Sequence, residues 1–248
     1  MTGTGRLLGS GRSADVYEID DAWVLRRDRE GWGDAAAEGA VMAYVRQHGY
    51  PVPRVRPSGS RTDLVLERLS GPTMLAAFGE GRIDPAEVGA LLASLLRRLH
   101  AVPGRDADHP GARVLHLDLH PDNVMLTPDG PQVIDWSNAE DGDPGLDWGM
   151  SAVILAQVAV GGEEFAALAH ETLTALLADP SDLTEAGLTE ALRRRAANPT
   201  MSRNEVELLG DAEELIRAVG QLPRGEVADA QGFGSPSGPK PHVSWPTV

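Results

Sequence analysis

The chain contains no cysteine and only one lysine, Lys240. Without cysteine there is no disulfide bond and no thiolate metal site, and cysteine usage does not indicate a redox compartment. Any role that enzymes give to a lysine within the folded part must therefore fall to one of the 21 arginines. Long hydrophobic runs are also missing, because the longest, 150–160, is too short to span a bilayer and the N-terminus lacks an apolar signal core. We expect a cytoplasmic protein that does not associate with membranes.

Basic residues are scarce beyond the first part of the chain. The formal net charge is −15, and residues 1–70 carry ten acidic and ten basic residues, so the whole excess lies in residues 71–248. An acidic field repels polyanions and raises the local concentration of cations. We therefore expect no nucleic-acid partner, and a cationic substrate is compatible with the charge. An acidic surface that only maintains solubility explains the excess equally well.

The first 69 residues have the pattern of a small α+β lobe. Alternating apolar residues and turns predict three strands within residues 5–26, and a helical stripe predicts a helix over 34–47. Residues 52–55 and 64–66 are predicted to form two further strands. Five strands and one helix in about 70 residues leave the second part of the chain to supply most of the helices.

The second part of the chain is predicted to be mainly helical. Asp84 is a good N-cap with Pro85 at the first helical position, and Pro103 ends that helix. Further helical patterns cover 147–160, 163–177, 184–196 and 204–219. From Pro223 onward, proline, glycine and serine dominate, which is typical of a flexible tail. We therefore divide the chain into residues 1–69, 70–222 and 223–248.

The most informative segment is HLDLHPDNVMLTPDGPQVID, residues 116–135. It places His116, Asp118 and Asn123 in the pattern H-x-D-x-x-x-x-N, and Asp135 follows a short apolar run. Phosphoryl transfer from a nucleotide requires a carboxylate beside the attacking hydroxyl, and an amide with a second carboxylate to hold Mg²⁺. The spacing predicts Asp118 as the catalytic carboxylate, Asn123 and Asp135 as Mg²⁺ ligands, and His116 and His120 as residues that brace the loop.

Two other interpretations of this segment remain open. His116, Asp118 and His120 alternate along the chain and could begin a hydrolytic metal site, although no later histidine-rich motif supplies further ligands. The segment could also be a loop with a purely structural role. Among the acids after Asp135, Glu140, Asp141 and Asp143 form either a solvated loop or part of a rim that attracts amines, and we expect the solvated loop. Asp147 either caps the next helix or ties down the catalytic loop.

The N-terminal part carries the expected nucleotide-binding features. Gly9 and Gly11 begin a segment similar to the G-x-G-x-x-G-x-V loop that covers phosphates, with Ala14 in place of the third glycine. On the third strand, Arg26 is the expected phosphate-binding cation and Arg27 the alternative, and Glu38 on the helix is its expected partner. A glycine hairpin and an exposed glutamate are the structural alternatives.

Residues from Glu67 to Leu69 connect the two predicted lobes. Their backbone groups are placed by chain order to hydrogen-bond the edge of an adenine. No residue type in this stretch indicates adenine recognition by itself, so the prediction depends on position alone.

The sequences HLDLHPDNVML, VIDW and GDPGLDWG resemble the aminoglycoside phosphotransferase-like family, a branch of the protein-kinase-like fold. The resemblance extends from Gly9 to about Asp147. It implies a bilobal fold with a small β-rich N-terminal lobe and a larger, mainly helical C-terminal lobe. It assigns catalysis to Asp118, metal binding to Asn123 and Asp135, and phosphate positioning to Arg26 with Glu38.

The resemblance implies an ATP- and Mg²⁺-dependent kinase that acts on a hydroxyl of a small molecule. The family phosphorylates several classes of alcohol, including aminoglycosides and choline-like amines, and the acidic second part favours an amine-bearing acceptor. Arg26 replaces the usual lysine, which motivates the alternative of a non-catalytic nucleotide- or ligand-binding module. The A-P-E element of protein kinases is missing, which favours a small-molecule substrate. The sequence does not indicate an oligomeric state.

Overall fold

The structure is a computed structural model that describes residues 5–11, 14–29, 31, 33–162, 165–178 and 181–222. The predicted tail from residue 223, including Lys240, lies outside the described residues. The tip of the glycine segment, residues 12–13, also lies outside them. Within the described ranges, no helix has both the length and the apolar composition needed to cross a membrane.

The N-terminal part is built on an antiparallel five-stranded sheet. Its strands are β1 (Leu7–Ser10), β2 (Ala14–Glu18), β3 (Trp23–Asp28), β4 (Val55–Arg56) and β5 (Asp63–Glu67), in the order β1-β2-β3-β5-β4. The predicted number of strands is confirmed, but the prediction of a strand over 52–55 is wrong. Only Val55 and Arg56 pair with β5, and proline at 51 and 53 has no N–H to donate.

Helix α1 (Ala35–Gln47) packs against this sheet and confirms the predicted helix. Asp34 caps it by accepting a hydrogen bond from the amide of Ala37. Val41, Met42 and Val45 are buried on the sheet side. Glu38 shares the buried part of the helix, so its carboxylate is directed toward the interior rather than to solvent.

The connection between the two parts is held against a later hairpin. The hairpin consists of β7 (Val124–Thr127) and β8 (Gly130–Val133). The amide of Leu126 donates to the carbonyl of Pro72 over 2.9 Å. Gly71 has a φ of +131°, and a Cβ atom there would overlap the carbonyl oxygen of Leu126. The following short helix, α2 (Met74–Gly79), was not predicted because six residues are too few to show a periodic pattern.

The C-terminal part is mainly helical, as predicted. Its helices are α3 (Pro85–His100), α4 (Pro144–Gly161), α5 (Ala166–Ala178), α6 (Glu185–Ala197), α7 (Arg203–Glu207) and α8 (Leu209–Gly220). Asp84 and Glu87 form a capping box at the start of α3. Helix α4 begins earlier than predicted because Asp143 caps it. The helix predicted over 204–219 is interrupted at Leu208, which separates α7 from α8.

A small two-stranded sheet corrects the prediction for the acidic loop. Strand β6 (Arg113–Leu115) pairs with β9 (Glu140–Gly142). The predicted solvated loop at Glu140 and Asp141 is therefore wrong, although Asp143 beyond it is exposed. Arg194 forms an ion pair with Glu140 and Arg105 with Asp141. These partners offset the negative charge and allow the acidic residues to form a strand.

Helices α4 and α6 approach each other backbone to backbone. A Cβ atom at Gly187 of α6 would overlap the backbone of Gly145 on α4. A Cβ atom at Gly149, one turn further along α4, would lie 2.8 Å from the carbonyl oxygen of Gly187. Glycine at these positions permits close helix packing. The position of α6 is therefore fixed relative to α4.

Candidate active site

A cavity of about 1020 Å³ lies between the sheet and the helical part. All nine residues that the sequence predicts as site residues line it, namely Gly9, Gly11, Arg26, Glu38, Glu67, Leu69, Asp118, Asn123 and Asp135. Apolar side chains of Val16 and Val24 line it from the sheet, and Met125 and Ile134 line it from the β7–β8 side. The cavity therefore combines an apolar section, suited to a planar base, with a polar section.

The loop that carries Asp118 is fixed by a buried aspartate on α4. Asp147 is fully buried and accepts hydrogen bonds from the amides of His116 and Leu117, at 2.9 and 2.7 Å, and from Nε2 of His100 at 3.0 Å. Burial alone would raise the pKa of Asp147, but these hydrogen bonds hold it below its ordinary value. Asp147 thus ties down the loop that carries Asp118, while Asp143 caps the helix.

The two histidines of the loop are used in internal hydrogen bonds. Nε2 of His116 lies 3.0 Å from the carbonyl oxygen of Ile134, and Nδ1 accepts from the amide of Asp118. Nδ1 of His120 accepts from the amide of Asp122, and its Nε2 lies 3.2 Å from Nδ2 of Asn123. Burial lowers the pKa of His120 to about 4, so the ring is neutral near pH 7. These hydrogen bonds support a role for both histidines in holding the loop in place, rather than in binding a metal.

Asp118 and Asn123 are in direct contact. Nδ2 of Asn123 donates to the main-chain oxygen of Asp118 at 2.8 Å and lies 3.4 Å from its carboxylate. These acceptors fix the amide orientation, so the side-chain oxygen of Asn123 is directed away from them. Burial, together with the negative charge of Asp135, raises the pKa of Asp118 to about 6, although nearby His116 and Arg195 lower it in part. A carboxylate with that pKa is suited to accepting a proton near neutral pH.

Arg26 contacts two carboxylates at once. One terminal nitrogen of its guanidinium donates to Glu38 at 2.6 Å, and the other donates to Asp135 at 3.0 Å. Burial raises the pKa of Glu38, and the positive charge of Arg26 opposes that rise. The predicted Arg26–Glu38 pair is present. The sequence did not indicate the second contact of Arg26, which is with Asp135. Arg27 instead pairs with Asp63 on β5.

The donor set of the site suits a magnesium ion. Asp135 has a φ of +60°, which is unusual for a residue with a side chain. Its Oδ1 accepts from Arg26 and from the hydroxyl of Ser137, whereas no hydrogen bond from a described residue reaches Oδ2. That oxygen and the amide oxygen of Asn123 are hard ligands of the type that Mg²⁺ prefers, and Mg²⁺ retains several waters. The ion would supply positive charge to the phosphates.

The glycine segment leaves space on the cavity side. Gly9 and Gly11 both line the cavity, and a Cβ atom at Gly9 would meet nothing within 4 Å. Neither residue has a positive φ. The backbone conformation therefore does not require glycine at these positions. The open space over β1 and β2 fits a ligand that approaches the backbone closely, as nucleotide phosphates do.

The segment from Glu67 to Leu69 lies at the apolar section of the cavity. The amides of Glu67 and Arg68 donate to the carbonyls of Arg54 and Ala22. Within the part of the chain that the structure describes, no backbone acceptor is found for the amide of Leu69. Among the three amides of this segment, the one of Leu69 is therefore the one left available to a ligand.

The section of the cavity that lies against helices α4 and α6, called the far section, was not predicted from the sequence. It is lined by residues of α4, α6 and the segment after α6, including Ile154, Gln157, Val158, Arg194, Arg195, Asn198 and Thr200. These residues lack a recognisable motif, and their position depends on how α6 packs on α4. They line the same cavity as Asp118.

Comparisons with known proteins agree with this geometry. The phosphotransferase enzyme family (APH) matches residues 4–113 and 105–186. No match was found among curated protein sequences. Among solved structures, the aminoglycoside phosphotransferase APH(4)-Ia has a TM-score of 0.55 at 16% identity, with 89% of this chain and 94% of that chain covered.

Two further solved structures show the same fold. An aminoglycoside-3'-phosphotransferase of type VIII has a TM-score of 0.51 at 17% identity, and the alignment covers 87% of this chain and 92% of that one. A choline/ethanolamine kinase family protein from Mesorhizobium loti has a TM-score of 0.50 at 18% identity, with 91% and 83% covered. At such identities the similarity establishes the fold alone.

Proposed function

Since the chain belongs to the phosphotransferase enzyme family (APH), we propose that it transfers the γ-phosphate of ATP to a hydroxyl group of a small molecule, with Mg²⁺. The main supporting observation is the contact between Asp118 and Asn123 on a wall of the cavity that also contains Asp135. This contact supports the proposal because a carboxylate with a pKa of about 6 lies beside the two oxygen-bearing side chains proposed to bind the metal. Arg26 on β3 and Glu38 on α1 line the same cavity, and Arg26 contacts Asp135.

In this proposal, the described residues divide the work of the transfer. Asp118 accepts the proton of the acceptor hydroxyl, or orients that hydroxyl, as its oxygen attacks the γ-phosphorus and the bond to the β,γ-bridging oxygen breaks to release ADP. Asn123 holds the carboxylate of Asp118 in place through Nδ2, and its side-chain oxygen would bind the metal. Asp135 would supply the metal carboxylate. Arg26, held by Glu38, positions the α- and β-phosphates. The backbone at Gly9 and Gly11 covers the phosphates.

The boundary of the nucleotide-binding lobe at residue 69 is part of the same proposal. The segment that follows is attached to the β7–β8 hairpin through Pro72 and Leu126. The base would lie between apolar residues of the sheet and Met125, with the Leu69 amide at its edge. Three expectations from the sequence stay predictions: a cytoplasmic location, an amine-bearing acceptor and the lack of a nucleic-acid partner.

The test is phosphorylation of a panel of small alcohols by the purified protein with ATP and Mg²⁺. The panel contains aminoglycosides, macrolides, choline-like amines and amino alcohols, and phosphorylated products are detected by mass. Turnover with one class, reduced by about 10²-fold or more in Asp118→Asn while nucleotide still binds, is the expected result. Absence of any Mg²⁺-dependent nucleotide binding by the unmodified protein would overturn the proposal.

One observation favours a second candidate, a non-catalytic binding module of the same fold. The contact between Arg26 and Asp135 occupies one oxygen of the carboxylate that is proposed to bind the metal. If that contact persists with nucleotide bound and keeps the other oxygen of Asp135 away from the metal, the protein holds a ligand without transferring phosphate. The presence of all three residues, Asp118, Asn123 and Asp135, argues against this second candidate, because nucleotide binding alone does not require all of them.

A further inference from the structure

A second, open pocket lies at the edge of the sheet, between the last turn of α1 and strand β4. Its volume is about 600 Å³, and it shares no lining residue with the candidate active site. Arg46 lines it from α1, Arg54 and Arg56 line it from β4 and the residue before it, and Trp23 lines it from β3. None of the described residues that line this arginine pocket is acidic. Three guanidinium groups therefore converge on one pocket of a strongly acidic chain.

The segment that supplies these arginines lacks acidic residues. Residues 39–62 contain four arginines and no aspartate or glutamate, although the whole chain has 37 acidic residues among 248. A segment of this length with the average composition of the chain would contain several acids. Acidic partners for the arginines of the pocket must therefore come from other parts of the chain.

One carboxylate offsets part of this positive charge. Arg54 forms an ion pair with Glu67 of β5 at 2.8 Å. A terminal nitrogen of Arg46 donates to the carbonyl of Val52, also at 2.8 Å. Within the part of the chain that the structure describes, neither Arg46 nor Arg56 forms an ion pair. Three guanidinium groups and one carboxylate leave the arginine pocket with a net charge of +2.

Trp23 holds two of these arginines side by side. The guanidinium carbons of Arg56 and Arg54 lie 3.5 and 5.4 Å from the centroid of its ring. The tryptophan is itself only 7% exposed, so packing fixes the ring. A cation over an aromatic face is attracted to the ring and keeps its N–H donors free for another partner. The ring therefore places two like charges close together, and an anion between them would relieve their repulsion.

On this basis we infer that the arginine pocket binds the dianionic phosphate group of a small molecule. A phosphate monoester carries a charge of about −1.5 to −2 near pH 7, which matches the pocket. The planar guanidinium fork fits phosphate oxygens, and such charge-assisted hydrogen bonds are strong. The net charge of −15 repels long polyanions, which favours a small anion over nucleic acid. This inference does not depend on the proposed phosphotransfer.

The experiment titrates the protein with methyl phosphate, inorganic phosphate and dimethyl phosphate, without nucleotide or Mg²⁺. Affinity is measured by calorimetry, and the site is located by NMR of the indole N–H groups, with the Trp23 signal assigned from Trp23→Phe. The unmodified protein is compared with Arg56→Gln, Arg46→Gln and Arg61→Gln. Arg61 is exposed and belongs to the same acid-free segment but does not line the pocket. Its variant is therefore the control for loss of one positive charge.

We expect the phosphate dianion to bind and to shift the indole signal of Trp23, while the signals of the fully buried Trp136 and Trp148 stay in place. Affinity should fall about tenfold or more in Arg56→Gln and in Arg46→Gln, and should not change in Arg61→Gln. Dimethyl phosphate, with one negative charge, should bind more weakly. Tighter binding of methyl phosphate than of inorganic phosphate would identify an ester as the ligand, and the reverse order would identify free phosphate.

Three results would overturn the inference. They are the absence of binding by either phosphate dianion, binding that leaves the Trp23 signal unchanged, and an equal loss of affinity in Arg56→Gln and Arg61→Gln. Both Arg46 and Arg56 are exposed, so their variants should fold, and urea denaturation checks this before binding is compared. Because the arginine pocket and the candidate active site share no lining residue, each of these results leaves the proposed phosphotransfer intact.

Discussion

Arg26 of β3 and Asp135, 109 residues later in the chain, are joined by a hydrogen bond of 3.0 Å across the cavity. Arg26 is largely buried, whereas the Asp135 side chain is 36% exposed. The same guanidinium binds Glu38, so one cation interacts with two carboxylates. Burial lowers the pKa of Arg26, but the two carboxylates outweigh this and raise it. The cation therefore stays charged.

The first prediction concerns Arg26→Lys. A single ammonium group cannot reproduce the two separate contacts that the planar guanidinium makes at its two ends. The lysine should therefore keep the contact with Glu38 and lose the contact with Asp135. If the lost contact is worth about 1 kcal/mol, as for partly exposed pairs, the Mg²⁺ concentration for half-maximal nucleotide binding should fall about fivefold. Nucleotide binding is measured by calorimetry over a range of Mg²⁺ concentrations.

The control for this prediction is Arg26→Met, which removes both contacts and the phosphate cation. Arg26→Met should bind nucleotide more weakly than the unmodified protein and more weakly than Arg26→Lys. A higher Mg²⁺ requirement in Arg26→Lys would contradict the competition between Arg26 and the metal for Asp135. Turnover that occurs only in the lysine variant would support the binding-module alternative.

The second prediction concerns the pH dependence of the rate. Asp118 must be ionised to accept a proton, and burial raises its pKa to about 6. The kcat/KM for ATP should therefore rise with pH through that value. In Arg195→Gln the midpoint should lie higher, because the positive charge of Arg195 lowers the pKa of Asp118. A profile that is flat between about pH 5 and pH 7 would contradict the role of Asp118 as a base.

The third prediction concerns Asp147→Asn. An amide offers one acceptor oxygen where the buried carboxylate serves three donors, so the free energy of unfolding should fall by about 3 kcal/mol. It is measured by urea denaturation. Because the folded-state pKa of Asp147 is lowered, its stabilisation is complete above its ordinary pKa of 3.8 and is lost as the pH falls. The difference between the two proteins should therefore shrink in acid, and a constant difference would contradict this account.

The fourth prediction concerns Gly71→Ala in the connection between the two parts. The added Cβ would overlap the carbonyl of Leu126, and the backbone has a positive φ, so we expect destabilisation of about 2–3 kcal/mol. Gly81→Ala is the matched control, since Gly81 has a φ of +67° but open space for a Cβ. It should lose only about 1 kcal/mol. Equal losses in the two variants would show that the overlap is relieved without cost.

The proximity of Asp118 and Asn123 could be predicted because phosphotransfer chemistry requires residues of these types at a fixed local spacing. Asp118 and Asn123 are five positions apart, and the short loop between them brings them into contact. The pairing of Arg26 with Glu38 could be predicted because a strand followed by a helix that packs on the same sheet places both side chains on one side.

Other features depend on contacts that no local pattern reveals. The pairing of Glu140–Gly142 with β6 requires Arg194 and Arg105 to offset the acidic charge, and Arg194 is 54 residues away from Glu140. The positions of α6 and Arg195 depend on helix packing against α4. The second contact of Arg26 depends on how the two halves of the chain meet.

The glycine contact between α4 and α6 has a consequence for how acceptor preference can change. The first turn of α4 follows its cap, Asp143, and contains Asp147, which anchors the loop of Asp118. The last turn of α6 contains Arg195. The backbones of Gly145 and Gly187 touch, so one added methyl group would move the far end of α6 without altering any residue of the cavity. If the section of the cavity beside α6 holds the acceptor, the spacing of these two helices would set part of its shape, and substitutions distant from the ligand would change which molecules fit.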